Sequence, residues 1–428
     1  MVPDMGEGTF VNQTKPLQDR ESLRGLRNAQ SQRALRLHID IPLLLIVTTL
    51  TVFGLLMVQS SSVDASLAMK QAPSYLFLRQ LRWVLVGVAL AGFFTWFDYH
   101  KMRPLLIPMM AVTVGMLILV LVIRDERFNA TRTLLNGSIQ PSELAKLVIV
   151  IYLSFWLAKN KEQLNSIQLG LVPLIALLGF ICGFIILQPD LSAAFTVIMI
   201  GGLLFFIAGG EWRQIILLLV GAVMIGYVLV TIFPTGSARI TSYIEGLQNP
   251  IDASYQIRRS LEAVVKGQIF GVGIGNGSTK FIGLPVPATD SIFAVIAEET
   301  GLVGAAAVVA LYLGLLWRGL AIARRAPDQL GALLAGGLTI WLTLEALINM
   351  TVIVGLVPIA GNALPFISAG GSNMVMSLSA IGIVMNVARN SNKRESEEGS
   401  SYRAVVDLRR RDGRRSVSRP NRFTSPGR

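Results

Sequence analysis

Ten long apolar segments constrain the fold of this chain more than any other feature of its sequence. A membrane crossing needs roughly 20 predominantly apolar residues, and each segment meets or approaches that length. The sequence therefore predicts an all-α integral membrane protein with about ten transmembrane helices. The predicted spans cover residues 39–58, 76–97, 105–123, 143–158, 168–187, 191–208, 214–233, 291–317, 330–354 and 366–388.

The charge content excludes a soluble enzyme. Only 15% of the residues are charged, whereas a soluble domain carries about 25%. The net charge of +12 lies mainly in the two tails and not in the body of the chain, so no nucleic-acid partner is predicted. Cys182 is the single cysteine and there are two histidines, which makes an internal disulfide impossible and zinc chemistry a poor expectation.

The distribution of basic residues predicts the orientation of the protein. Of the 38 Lys and Arg residues, 26 fall on the side that carries both tails and 9 on the opposite side. Because cytoplasmic segments collect Lys and Arg, both termini are predicted to be cytoplasmic. The domain organisation is then an N-terminal tail over 1–38, a membrane domain over 39–388 and a basic tail over 389–428, which is predicted to be disordered and to attract anionic lipid.

One connection on the opposite side is unusually long. Residues 234–290 join spans seven and eight, whereas ordinary loops have about 4–6 residues and long ones tend to be functional. The loop contains apolar groups that can pack, which favours an ordered structure. Its glycine run, from Gly271 to Gly277, lacks the strand, helix and acidic residue of a dinucleotide-binding fingerprint, so a tight loop beside a substrate groove is expected.

Ionisable residues at membrane depth need a partner or a function, because they are costly to insert. Glu143 and Lys146 are one helical turn apart and can pair on one face, either as a structural element or in contact with substrate. The segments Gln140-Pro-Ser-Glu and Gln188-Pro-Asp190 share a pattern. Each suits a helix start, with Pro in the first turn and a carboxylate at the positive end of the helix dipole.

Asp290 ends the long loop, where it could simply cap the next helix. Glu298 and Glu299 lie about two turns further on, and Glu345 and Asn349 form an i, i+4 pair in the ninth span. The number of carboxylate and amide side chains near the outer half of the membrane is larger than helix packing requires. This region is therefore the candidate site.

Taken in order, these motifs resemble the SEDS family (shape, elongation, division and sporulation), the FtsW/RodA/SpoVE group, over residues 39–389. The resemblance rests on a series of short blocks whose order and spacing on a ten-span chain are specific. The blocks are Gln140-Pro-Ser-Glu-Leu-Ala-Lys146, Gln188-Pro-Asp-Leu191, Tyr255-Gln256, Gly271-Val-Gly-Ile-Gly275-Asn276, Lys280, Leu284-Pro285, Thr289-Asp290, Ile292 to Glu299, Gly301, Asn349, Gly355-Leu-Val-Pro358, Gly361, Leu364-Pro-Phe-Ile-Ser368 and Gly370-Gly-Ser372.

The resemblance implies a peptidoglycan glycosyltransferase of the bacterial cytoplasmic membrane. Such a protein polymerises lipid II, an undecaprenyl-pyrophosphate-linked disaccharide pentapeptide, onto a nascent glycan strand at the outer face. It usually works with a class B penicillin-binding protein. Asp290 matches the family's essential aspartate and is therefore the candidate general base.

The reaction also needs positive charge for the departing pyrophosphate, which Lys280, Arg239, Arg258 or Lys146 could supply. No cofactor is certain, although a divalent cation, magnesium or manganese, could assist. The candidate substrate-binding residues are Lys280, Glu143, Lys146, Asp190, Arg239, Arg258, Glu298, Glu299, Ser368 and Asn349.

The chain departs from the family pattern at several positions close to these motifs. They are Ala288 in place of His, Ser291 in place of Phe, Thr133 in place of Trp, Ser192 in place of Gly, Ala360 in place of Thr, Ala369 in place of Tyr, and Glu345 where Gln is common. The retained Asp290 favours an active, divergent member. Two alternatives stay open: a flippase or transporter for the same lipid, and a weakened scaffold that activates a penicillin-binding protein.

Overall fold

The apolar segments fold into helices, because hydrocarbon offers a backbone no hydrogen-bond partners other than its own. The computed structural model describes residues 39–123, 138–232, 234–249 and 253–412, and these contain no β-strand. The helices are α1 Ile41–Ser61, α2 Val63–Ala68, α3 Tyr75–Trp96, α4 Leu106–Ile123, α5 Pro141–Lys159, α6 Val172–Leu187, α7 Leu191–Ile207, α8 Trp212–Ile232, α9 Pro234–Gln248, α10 Tyr255–Gly267, α11 Ile292–Arg324, α12 Gln329–Ile353 and α13 Gly371–Asp412.

Every predicted span corresponds to a helix of the described residues. Nine helical stretches among them are long and apolar enough to cross a bilayer. The tenth, α7, is apolar and has 17 residues, which is at the lower limit for a crossing. The fold class predicted from the sequence is thus confirmed, whereas the orientation in the membrane stays a prediction.

Three helices form the buried centre of the bundle. In α5, α12 and α13 most of the spanning residues are buried, and α12 packs against α5, α7, α11 and α13. By contrast, α3 and α4 keep most of their surface exposed. The central helices also carry the polar and charged residues of the predicted spans, such as Glu143, Lys146 and Glu345, which are all buried.

Helix α11 is broken near its start. Gly301 has φ 69° and ψ −169°, a conformation that is essentially restricted to glycine. The predicted span 291–317 therefore consists of a short buried helix, residues 292–300, and a straight part, residues 302–324. A hydropathy window could not separate the two parts, because both are apolar.

The two ends of the last span also differ from the prediction. The span was expected from residue 366, but α13 begins at Gly371, because Phe366 has a φ of 67° and residues 361–370 form a loop. At the other end α13 continues to Asp412, so the tail predicted to be disordered from 389 begins as helix. Its Arg, Glu and Ala residues favour helix and extend one that is already nucleated. Residues 413–428, like the N-terminal tail, lie outside the described residues.

A bidentate ion pair joins the first span to the eighth at the end opposite the long loop. Asp40 caps α1 by accepting a hydrogen bond from the Leu43 amide, at 3.1 Å. Its carboxylate also accepts two bonds from Arg318, Nε to Oδ1 at 2.9 Å and Nη2 to Oδ2 at 2.7 Å. The pair marks a polar level at which both helices leave the apolar part of the bundle.

Replacement of Gly301 by Ala is expected to destabilise the protein by at least about 1–3 kcal/mol, the usual cost of a strained backbone conformation. A Cβ atom there would also lie 2.4 Å from the Gly271 nitrogen and from the Ile269 carbonyl oxygen. Thermal unfolding in detergent measures the effect. Gly314→Ala is the matched control, because it lies in the same helix and its Cβ would approach only the Ile46 side chain, at 3.4 Å. Equal stability of the two variants would contradict the assignment of strain to Gly301.

Candidate functional site

Asp290 lies at the rim of a polar cavity of about 190 Å³. The cavity is formed by the starts of α5, α7 and α13, by the end of the long loop and by residues 361–370. The lining residues are Ser138, Gln140, Glu143, Lys146, Asp190, Ser192, Ala193, Thr289, Asp290, Gly361, Asn362, Ala363, Ala369, Gly370, Gly371, Ser372 and Asn373. Of the sequence-predicted site residues, Asp290, Glu143, Lys146 and Asp190 are therefore brought together.

Asp290 is not the cap of the helix that follows it. Helix α11 begins at Ile292 and its N-cap residue is Ser291, without a side-chain cap bond. The capping alternative for Asp290 is therefore not supported by the geometry. Its backbone carbonyl instead accepts a hydrogen bond from Asn349 Nδ2, at 2.9 Å.

Three successive carbonyl groups fix the segment that carries Asp290. The Ala369 amide donates to the Ala288 carbonyl at 2.8 Å, and the Ser368 hydroxyl donates to the Thr289 carbonyl at 2.7 Å. The Asn349 amide completes the series at Asp290. Ser368 and Asn349, predicted to bind substrate, thus hold the backbone of the segment, which limits the positions that the Asp290 carboxylate can take.

The two Gln-Pro-acid segments contact each other directly in the wall of the cavity. Asp190 Oδ2 accepts hydrogen bonds from Gln140 Nε2 at 3.0 Å and from the Ser142 hydroxyl at 3.3 Å. Asp190 also caps α7, because its Oδ1 accepts from the Ala193 amide at 3.3 Å. The predicted role in starting a helix is confirmed for Asp190. The two segments lie on the same side of the protein because they contact each other directly.

Lys146 lies at the centre of a buried ionic cluster in the wall of the cavity. Its ammonium group donates to Glu143 Oε1 at 2.7 Å, which confirms the predicted pair. The same group donates to Glu345, 199 residues away on α12. Asn373 of α13 donates to the other oxygen of Glu143, at 3.0 Å. The sequence left Glu345 and Asn373 out of this cluster, because nothing local indicates that α5, α12 and α13 meet.

Lys280 does not line the cavity. Its ammonium group is buried and donates to Glu299 Oε1 at 2.6 Å, to the Ser60 hydroxyl at 2.7 Å and to the Gly275 carbonyl at 3.0 Å. Its predicted contact with the leaving group is therefore not supported by its position. The physical reason is that the buried carboxylate of Glu299 requires a cation close by.

Glu298 stabilises the loop that follows the glycine run. Its carboxylate accepts from the amides of Ser278 and Thr279 at 3.0 and 3.1 Å, and from the Thr279 hydroxyl at 2.9 Å. Like Glu299, it lies outside the cavity lining. The glycine run forms the tight loop that the sequence predicts, with Gly271, Gly273 and Gly275 at positive φ. Both glutamates thus shape the loop beside the site.

The arginines proposed for the leaving group also lie away from the cavity. Arg239 lies on α9 and Arg258 on α10, and neither lines it. The polar face of α10 carries its own ion pairs, from Lys266 and Arg259 to Glu262, at 2.9 and 2.7 Å. The hydrogen bonds from Lys266 and then from Arg259 hold the pKa of Glu262 below its ordinary value.

The donor set does not fit a resident metal ion. Among the described residues, no three His, Cys, Asp or Glu side chains lie close enough to share one. Both oxygens of Asp190 accept hydrogen bonds, and the Glu143 carboxylate is bonded to Lys146 and Asn373. A magnesium or manganese ion brought by substrate phosphates stays a prediction of the sequence.

Several departures from the expected family pattern lie at the cavity or next to it, and Ser192 and Ala369 line it. Ala288 and Ala369, which replace His and Tyr, are joined by a backbone hydrogen bond of 2.8 Å. Ser192 donates to Asp190 Oδ1 at 3.1 Å, and Ser291 accepts from Gln256 Nε2 at 3.1 Å. Two large side chains are therefore replaced together at neighbouring positions, while the new hydroxyls find polar partners. Thr133 lies outside the described residues.

Comparison with known proteins covers nearly the whole membrane domain. A family model described as "Cell cycle protein", that of FtsW, RodA and SpoVE, matches residues 41–393. A probable peptidoglycan glycosyltransferase FtsW of Geobacter sp. (strain M18) is 35% identical over 356 residues, which cover 82% of this chain and 96% of the relative. Stage V sporulation protein E of Bacillus subtilis (strain 168) is 35% identical over 360 residues, covering 82% and 97%.

Solved structures share the same fold. A chain of a peptidoglycan synthase complex, studied for the structural coordination of polymerization and crosslinking, aligns with a TM-score of 0.65 at 25% identity. The alignment covers 83% of this chain and 99% of the other. The rod shape determining protein RodA of Thermus thermophilus aligns with a TM-score of 0.57 at 25% identity, covering 83% and 98%.

Replacement of Lys146 by Met is expected to cost about 3–5 kcal/mol of stability, because two buried carboxylates lose their shared cation. The triple variant Glu143→Gln, Lys146→Met, Glu345→Gln removes the charges together and is expected to recover most of this loss. Thermal unfolding in detergent compares them, with Glu345→Gln alone as the control that leaves the Glu143 pair intact. A triple variant as unstable as Lys146→Met would show that the charges of the cluster do not decide its stability.

Proposed function

The chain belongs to the FtsW/RodA/SpoVE family, and from this premise we propose that it is a peptidoglycan glycosyltransferase that polymerises lipid II at the outer face of the cytoplasmic membrane. It is a multi-pass protein of the bacterial inner membrane, as the membrane-spanning helices and the family establish. A relative named as a probable peptidoglycan glycosyltransferase supports the reaction class. The family membership alone leaves division, elongation and sporulation open as the setting.

One observation carries the proposal: a carboxylate on a fixed backbone segment shares one polar cavity with the first turns of three helices. The lining residues Glu143, Ser192 and Asn373 belong to the first turns of α5, α7 and α13. Each helix N-terminus carries about half a positive charge, which favours an anionic group nearby. A pyrophosphate-linked sugar is such a group, and Asp290 lies at the same cavity.

In the proposed reaction Asp290 acts as general base. An acceptor sugar hydroxyl loses its proton to the Asp290 carboxylate while its oxygen bonds to the anomeric carbon of the donor sugar. The bond from that carbon to the pyrophosphate oxygen breaks, and the lipid pyrophosphate leaves with the electron pair. The bonded carbonyls of Ala288, Thr289 and Asp290 supply the rigidity that such proton transfer requires.

In this proposal the charge of the leaving group is balanced mainly by the N-terminus of α13, which has no acidic residue in its first turn, whereas Asp190 already caps α7 and Glu143 lies in the first turn of α5. Lys146 lines the cavity, but its ammonium group is already bonded to Glu143 and Glu345. Its free positive field at the cavity is therefore small. This arrangement differs from the sequence-based expectation, in which Lys280, Arg239, Arg258 or Lys146 supplied the positive charge.

A class B penicillin-binding protein is the proposed partner. Support comes from the similar chain that belongs to a peptidoglycan synthase complex, in which polymerization and crosslinking are coordinated. A scaffold function without catalysis is the second candidate, and the paired replacements at Ala288 and Ala369 are the observation that favours it. The flippase alternative has no comparable support among the described contacts.

Replacement of Asp290 by Asn is expected to lower the rate of glycan polymerisation by about 10²–10⁴-fold, the usual contribution of a general base. The assay supplies lipid II to the purified chain with its cognate penicillin-binding protein and follows polymer length. Glu262→Gln is the control, because Glu262 lies in the same loop but not at the cavity.

Equal polymerisation by wild type and Asp290→Asn would remove the role of Asp290 as base. An inactive but folded wild type that still binds its partner would favour the scaffold. Partner binding by Asp290→Asn, measured by co-purification, separates loss of catalysis from loss of assembly.

A further inference from the structure

A strongly apolar turn follows α10 in the long loop. We call residues 269–274 the apolar turn; its large side chains Ile269, Phe270, Val272 and Ile274 are 56%, 82%, 42% and 58% exposed. A contiguous patch of this kind on a protein surface marks a contact with a membrane or a partner. The loop that contains this patch is predicted to lie outside the membrane, so hydropathy alone does not indicate whether water, lipid or another protein covers it.

The apolar turn is fixed to the start of the straight part of α11. The Leu302 amide donates to the Gln268 carbonyl at 2.9 Å, and the Val303 amide donates to the Ile269 carbonyl at 3.1 Å. Leu302 and Val303 are themselves exposed, by 65% and 55%, and they open the membrane-spanning part of the helix. Ile269 therefore lies at the level of the first lipid-facing turn of α11.

The first span provides a measure of depth. Asp40, paired with Arg318, marks the polar level at the end opposite the loop. Ser60 follows Asp40 by 20 residues, and its hydroxyl donates to Glu299 Oε1 at 2.6 Å. At about 1.5 Å per residue these levels are about 30 Å apart, the thickness of the hydrocarbon core. The Gly273 amide donates to the Glu299 carbonyl at 3.0 Å, so the apolar turn lies at the hydrocarbon boundary.

Helix α10 has the pattern of a helix that lies on a membrane surface. Ile257, Ser260 and Ala263 are buried where α10 packs against α11, and the apolar side chain of Val265 is 75% exposed. Glu262 and its basic partners, Arg259 and Lys266, form a separate polar stripe. Surface-lying helices combine such a basic polar stripe with an apolar side at headgroup depth.

We propose that the apolar turn is immersed in the outer leaflet, so that lipid chains cover Phe270. The turn then anchors α10 and the break at Gly301 at the depth of the lipid headgroups. Because these elements are continuous with the segment that ends at Asp290, the anchor sets the height of the cavity relative to the bilayer. This inference does not depend on which reaction the cavity performs.

The test measures the surroundings of Phe270 with a nitroxide spin label. In a Cys182→Ala background, which removes the single cysteine, Phe270→Cys is labelled and the full chain is placed in phosphatidylethanolamine/phosphatidylglycerol vesicles. Collisions with oxygen report lipid, and collisions with a water-soluble nickel chelate report water. Val303→Cys is the lipid control and Asn276→Cys, an exposed loop position, is the water control.

Immersion predicts that the oxygen-to-nickel ratio at position 270 matches that at 303 and is several-fold higher than that at 276. A ratio like that at 276 would overturn the proposal in favour of a water-exposed surface. Shielding from both reagents would overturn it in favour of a covering protein. Val272→Cys repeats the measurement in case Phe270→Cys does not fold, and unchanged thermal unfolding verifies each variant.

Discussion

Polar groups at membrane depth have to be satisfied inside the protein, because hydrocarbon offers them neither water nor counterions. This constraint organises the described part of the chain. Lys146 is shared by Glu143 and Glu345, which joins α5 to α12, and Lys280 joins Glu299 to the first span through Ser60. Apolar helix surfaces can slide against one another in lipid. Each of these ion pairs and hydrogen bonds, by contrast, forms at only one relative position of the helices that it joins. The ionic clusters therefore decide which helices meet and at what height.

At the candidate site, the need to satisfy polar groups applies to the backbone and also fixes the position of Asp290. The segment before α11 is irregular backbone near the membrane, and its carbonyls at 288, 289 and 290 are bonded to Ala369, Ser368 and Asn349. The hydrogen bonds that satisfy these carbonyl groups also immobilise the backbone of the segment. A carboxylate on such a segment is pre-organised, because the backbone that carries it is held at three successive carbonyl groups. The segment at Asp290 is thus rigid for the same reason that the spans are paired: polar groups near the membrane must be hydrogen-bonded inside the protein.

Electrostatic support for an anionic substrate comes from backbone more than from side chains. The basic residues that the sequence offered are engaged elsewhere or lie away from the cavity, as Lys280 and Arg258 illustrate. The first turns of α5, α7 and α13 line the cavity instead. Asp190 already caps α7, but α13 has no acidic residue in its first turn, so its dipole provides a positive field without the desolvation cost of a lysine.

The sequence by itself determined the fold class, the spans to within a few residues, the Glu143–Lys146 pair and the helix start at Asp190, because each depends on residues that are close in the chain. Hydropathy over about 20 residues and spacing within one turn are local properties. Only the tertiary structure decided that Glu345 joins Lys146, that Gln140 bonds Asp190, and that Lys280 is withdrawn from the cavity. Those contacts join residues 19 to 199 positions apart. Their geometry depends on how whole helices pack and on the break at Gly301, which a continuous apolar run conceals.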